Sequence, residues 1–230
     1  MKRIVAVLTL STIFILSGCN NQTQDLPEVS KAHVRVTSTV ATVTRPEETE
    51  SESIPETTEK VIEQREGTTF RNTIWGDTKD EVKKYEKDVS LNDLSDSTLC
   101  GETEVNGYSN TDIFYHFDND GKLYEGVYGF NLNYTAGGKY IETYKNIKTT
   151  MTKLYGNPTT DGTATYKSQD LIDSFGPVYA LENGWMGYRT EWEMENNKIS
   201  MVMASQNDNI MLGIQYIDPN YEPDINDSGL

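Results

Sequence analysis

Apolar positions fall into three regimes along this chain. A run from Ile4 to Leu16 is almost wholly apolar, and the stretch from Asn20 to Glu66 contains no aromatic residue. From Gly67 onward apolar and polar residues alternate with the periods of folded structure. In that third regime, Thr78 and Glu81 stand in the T-x-x-E spacing of a helix-capping box, with Asp77 and Asp80 at the end that favours negative charge. Val82, Tyr85 and Val89 then recur at three and four residues, predicting one buried helical stripe. Strands are expected near 97–105, 112–118 and 122–134, the last two joined by a turn at Asp118-Asn119-Asp120-Gly121.

A second helix is predicted by Tyr140, Tyr144, Ile147, Met151 and Leu154, whose spacing places them on one face. Gly156 and Pro158 stop it. After a looser stretch, strands are expected near 187–195, 198–205 and 209–217, with turns at Asn196-Asn197 and Asn207-Asp208. In the first of these, Tyr188, Thr190, Trp192 and Met194 share one face while Arg189, Glu191, Glu193 and Glu195 share the other. The order reads as two similar α-βββ units in tandem. Runs of strands after each helix imply an α+β fold, an antiparallel sheet with helices on one face. The folded part is expected to span 67–217, followed by an acidic tail at 218–230.

Composition changes the picture at the N-terminus. Lys2 and Arg3 precede the 13-residue apolar run, which is too short to cross a membrane comfortably, so residues 1–18 read as a signal peptide. The run ends in Leu16-Ser17-Gly18-Cys19. This resembles the lipobox of bacterial lipoproteins. The resemblance implies a diacylglyceryl group on the Cys19 thiol, cleavage just before it, and a covalent lipid as the only attached group. Two acyl chains would make the anchor effectively stable. Removing the two basic residues takes the formal charge from −16 to −18.

Residues 20–66 carry ten acidic and five basic residues with many Thr, Pro and Glu. Such a segment buries too little apolar surface to offset its ordering entropy, so it reads as a disordered tether. Its 47 residues span roughly 35–40 Å, enough to lift a domain off the headgroups of a surface of the Gram-positive kind. The remaining charge of −13 on the folded part argues against nucleic acid as a partner.

Candidate chemistry is sparse. His33 lies in the tether, leaving His116 as the folded part's one histidine, expected half-buried or at a rim rather than catalytic. Asp118, Asp120 and Gly121 echo part of a calcium loop, but His116 and Val127 occupy ligand positions, so a turn is expected and no metal site. Glu191, Glu193 and Glu195 could supply glycosidase carboxylates, yet a row along one strand reads better as a solvated face. Trp75 and Trp192 are expected in the core, and Cys100 as a buried thiol. Trp185, between Gly184 and Gly187, is the aromatic expected to reach a ligand.

Gly76-Asp77-Thr78-Lys79-Asp80-Glu81-Val82 and Leu154-Tyr155-Gly156-Asn157-Pro158 resemble the G-x-T-x-x-x-V and L-G-x-P elements of small outer-membrane assembly lipoproteins of the SmpA/OmlA type. The pattern is also similar to the fold of β-lactamase inhibitory protein. Here the two motifs sit on different helices and Trp75 precedes the first, a form closer to uncharacterised lipoproteins of Gram-positive gut bacteria. The resemblance implies a protein-binding sheet and loops without chemistry. The expected function is therefore a membrane-anchored, extracytoplasmic lipoprotein that binds a protein or cell-wall partner and is not an enzyme. The alternative is a carboxylate-based hydrolase of glycan or peptide. A transporter's solute-binding lipoprotein is disfavoured, because it needs two larger α/β lobes.

Overall fold

The computed structural model describes residues 65–207 and 209–222. The signal and lipobox residues Leu16, Ser17, Gly18 and Cys19, the tether as far as residue 64, and the end of the tail lie outside them. The elements run α1 (Lys79–Tyr85), β1 (Asn92–Ser95), β2 (Thr98–Val105), β3 (Tyr108–Phe117) and β4 (Leu123–Phe130). They continue with α2 (Gly137–Tyr155), β5 (Thr160–Thr165), α3 (Gln169–Glu182), β6 (Met186–Glu193), β7 (Lys198–Gln206) and β8 (Asn209–Ile217).

The fold is α+β. All eight strands form one antiparallel sheet in the order β1-β2-β3-β4-β8-β7-β6-β5. Each half contributes four strands, and the halves meet where β4 pairs with β8, from Glu125 against Ile217 to Phe130 against Leu212. The last strand of each half is thus central, and the first strand of each half is an edge. The expected tandem units share one sheet, and each has a fourth strand that alternation did not reveal. β1 and β5 are exposed along their whole length, so neither carries an apolar period to read.

Local chemistry explains the element ends. Thr78 is extended and accepts a hydrogen bond from the Glu81 N–H, while its own N–H donates to Glu81 Oε2 at 2.8 Å, completing the capping box. Asp77 does more than favour the helix dipole. It is buried, pairs with Arg65, and accepts the Ile74 N–H at 2.9 Å. The expected Val82–Tyr85–Val89 stripe is cut short, because α1 ends at Tyr85 and the buried Val89 belongs to the turn beyond. β3 starts at Tyr108 because Asn106 and Gly107, both with positive φ, make a tight turn between β2 and β3. β4 stops at Phe130, since Leu132 and Tyr134 turn away to bond the Tyr140 hydroxyl of α2.

One face of the sheet carries the core. Leu99, Ile113, Tyr115, Tyr128, Trp192, Ile199, Met201, Leu212 and Ile214 point to that side, beneath Val82 of α1 and Tyr144, Ile147 and Met151 of α2. The Tyr144 hydroxyl bonds Thr190 Oγ1 at 2.7 Å, seating α2 on β6. Leu154 departs from expectation. It is exposed, and Tyr155 turns inward instead, to 3.2 Å from the Tyr216 hydroxyl. Trp192 is core, as expected, whereas Trp75 is only partly buried and donates its ring N–H to the Asn196 carbonyl. Gly126 lets Phe70 lie flat on the sheet, because a Cβ there would meet the ring at 2.1 Å. On the opposite face Cys100, Phe114 and Val127 form a small buried cluster. Cys100 is buried, as expected. Among the described residues no helix is long and apolar enough to cross a membrane.

Candidate functional site: an exposed aromatic patch on α3

The loose stretch between α2 and β6 holds a third helix that its sequence obscures. Gly176 has φ 83° and ψ 162°, and Pro177 follows, so α3 is two short helical segments meeting at a kink. Ile172, Ala180 and Leu181 are buried against the core, yet Leu171, Phe175, Val178 and Tyr179 are apolar too and lie exposed. A helix that is apolar on both sides normally has something on each.

Trp185 forms the floor of this exposed side. Gly184, with φ 65°, ends α3 and turns the chain so that the Trp185 N–H returns to the Ala180 carbonyl at 2.7 Å. The indole meets Phe175 edge-on at 5.5 Å between centroids and Tyr179 at 5.2 Å, and Phe175 stacks on Tyr179 at 5.0 Å. Trp185 itself is half-buried, walled by two rings, rather than projecting from a free loop as its flanking glycines suggest. Tyr166 adjoins it, donating its backbone N–H to the Trp185 carbonyl at 2.7 Å. Five of the eight large apolar residues exposed among the described residues lie between Tyr166 and Tyr179, which marks this patch out from scattered surface apolars.

The patch has an acidic rim. Asp170 and Asp173 are exposed along α3, opposed locally by Lys167. Glu182 fastens the patch to α2 by accepting the Gly137 N–H at 3.0 Å. A Cβ at Gly137 would lie 2.4 Å from that carboxylate oxygen, so a larger residue there would push the Glu182 side chain aside and break this bond.

The other candidates have structural employment. Asp118 Oδ1 accepts the backbone N–H groups of Asp120 and Lys122, so the carboxylate shapes the β3–β4 turn. No group of three metal-ligating residues is found among the described residues. Glu191 is held by Arg189 at 2.5 Å, and Glu193 lies opposite Lys198. His116 is partly buried on the helix-free face, 3.3 Å from Thr98 Oγ1 and opposite Glu125. Burial pushes its imidazole below the ordinary histidine range, partly offset by the Glu125 carboxylate. Glu125 in turn accepts a hydrogen bond from Gln215.

The aromatic patch is the element that sequence reasoning caught only at Trp185. Its other members fell in a stretch broken by Gly and Pro, although Phe175 and Tyr179 at i, i+4 were a readable sign of one helical face. No family model, no curated protein and no solved structure matches this chain.

Proposed function

We propose that this chain is a surface-displayed lipoprotein, anchored through lipid on Cys19, whose folded part binds a partner rather than transforming a substrate. The binding surface is the patch of Tyr166, Leu171, Phe175, Val178, Tyr179 and Trp185. The observation that carries this reading is the exposure of Phe175 at 54% and Tyr179 at 41%, while both rings are ordered against Trp185. Covering the exposed half of Phe175 is worth about 1–1.5 kcal/mol, a stabilisation that the isolated fold leaves unrealised. Preorganised aromatic rings within an acidic rim are the usual anatomy of an interface anchor. The lipobox Leu16-Ser17-Gly18-Cys19 supports the anchoring half of the proposal.

A photo-crosslinking residue placed at Phe175 in intact cells should yield an adduct that the same residue at Leu94 does not. Leu94 is equally exposed but sits on β1, at the other edge of the sheet. Identical adducts at both sites, or none at Phe175, would sink the binding reading. For the anchor, Cys19→Ala should release the protein into the medium or leave an uncleaved precursor. Palmitate labelling that persists in the variant would overturn the lipidation, as would a Cys19–Cys100 disulfide in the mature protein, because one sulfur cannot hold both bonds.

A further inference from the structure

The two edges of the sheet are not equivalent. β1 has four residues, a register shift between Asp93 and Ser95, and Lys79 and Lys83 gathered on Asp93, with Lys79 also bonding the Ser95 carbonyl. Bulges, short length and lysines are the devices that protect an edge from further pairing. β5 has neither the register shift nor the short length, and a single lysine, Lys148 of α2, approaches it. Its six residues pair with β6 in unbroken register, all six are exposed, and the strand contains neither proline nor lysine. Its one charge, Asp161, is neutralised by Lys148 at 2.9 Å.

The register also says which amides are open. Tyr166 lies opposite Trp185 and donates to its carbonyl, so the alternate residues Thr160, Gly162 and Ala164 direct their backbone groups to β6. The backbone groups of Asp161, Thr163 and Thr165 therefore point away from the sheet. No hydrogen bond joins these outward groups to another backbone among the described residues. This open ladder runs directly into Tyr166 and the aromatic patch.

We propose that β5 is a strand-addition site, at which an extended, basic segment of a partner protein pairs along the outward edge and seats an apolar side chain on the patch. This rests on the binding reading above and specifies its partner. The open ladder calls for extended backbone, the rings for an apolar residue, and Asp170 and Asp173 for a cationic one. A second copy of the chain fits less well, since it would bring together two folded parts of charge −13.

The test uses the full chain and a short capped peptide alternating Lys and Val and ending in Phe, followed by fluorescence anisotropy. Thr163→Pro removes an outward donor while leaving the β5–β6 bonds in place, an edge position where proline is tolerated. It should weaken binding roughly tenfold or more, and Thr163→Val should not. Methylating the peptide's alternate backbone nitrogens should abolish binding in one register and spare it in the other, with the protein unaltered. Absence of saturable binding by about 1 mM would overturn the proposal, as would indifference to both Thr163→Pro and methylation. Binding lost in Phe175→Ser but untouched by those two changes would discard strand addition and leave the patch reading intact. A dimer dissolved by Thr163→Pro would assign the edge to a second copy and overturn the partner peptide.

Discussion

Arg71 and Glu86 form an ion pair beneath the start of the fold, Nε to Oε2 at 3.0 Å, with the glutamate side chain wholly buried and the arginine 18% exposed. The same carboxylate accepts the Asn72 N–H at 3.2 Å, so it fixes both the side chain and the backbone of the 70–73 turn. That turn needs fixing. Arg71 has φ 51°, a left-handed conformation that costs a residue with a Cβ about 1–2 kcal/mol. Burial by itself would lower the Arg71 pKa, but the facing Glu86 carboxylate raises it above the ordinary guanidinium value, so the cation is retained.

Breaking this pair on one side should be severe. Glu86→Gln leaves a buried guanidinium without its counter-charge and is expected to cost about 3–5 kcal/mol. Urea unfolding of the variant checks this. A loss below about 1 kcal/mol would mean that water reaches the pair.

Gly126 and Phe70 make a second constraint. Gly126→Ala should destabilise by about 1–3 kcal/mol, because the ring cannot retreat from strands on which Tyr115, Tyr128 and Tyr216 also pack. Combining it with Phe70→Leu should recover part of the loss, so the two changes are expected to be non-additive in a double-mutant cycle. Strict additivity would show that the contact is not the cause.

The Tyr144 hydroxyl bonds Thr190 Oγ1, and Thr190 Oγ1 also donates to Asp161 at 2.9 Å. Tyr144→Phe should therefore cost about 0.5–1.5 kcal/mol and loosen β5 against α2. Hydrogen exchange would report this as faster exchange of the Gly162 and Ala164 amides, with those of β3 unchanged.

Asp112 supplies a pH dependence. Burial raises its pKa, partly offset by a hydrogen bond from Asn131, and one carboxylate oxygen has no partner. A carboxyl whose folded pKa lies above its unfolded value stabilises the fold most below the ordinary aspartate range. That contribution is lost as pH rises through the folded pKa. Asp112→Asn should accordingly be more stable than wild type near neutral pH relative to its standing in acid, and the difference should shrink on acidification. Parallel stability curves for the two proteins would contradict the assignment.

Much of this architecture was open to inspection in one dimension. The Thr78–Glu81 box, the Tyr140–Met151 stripe, the Gly156 stop and the alternation of Tyr188, Thr190 and Trp192 are set by neighbours a few residues apart, so periodicity and capping chemistry reveal them. The same local rules identified the α+β class. Tertiary structure alone decided the rest. Whether two meanders make two sheets or one depends on the pairing of β4 with β8, between residues some ninety apart in the chain. β1 and β5 have no apolar period because edges are exposed, and α3 hides behind Gly176-Pro177. The Arg71–Glu86 pair and the Phe175–Tyr179–Trp185 cluster exist only once separate segments converge, since burial and contact are properties of the assembled chain.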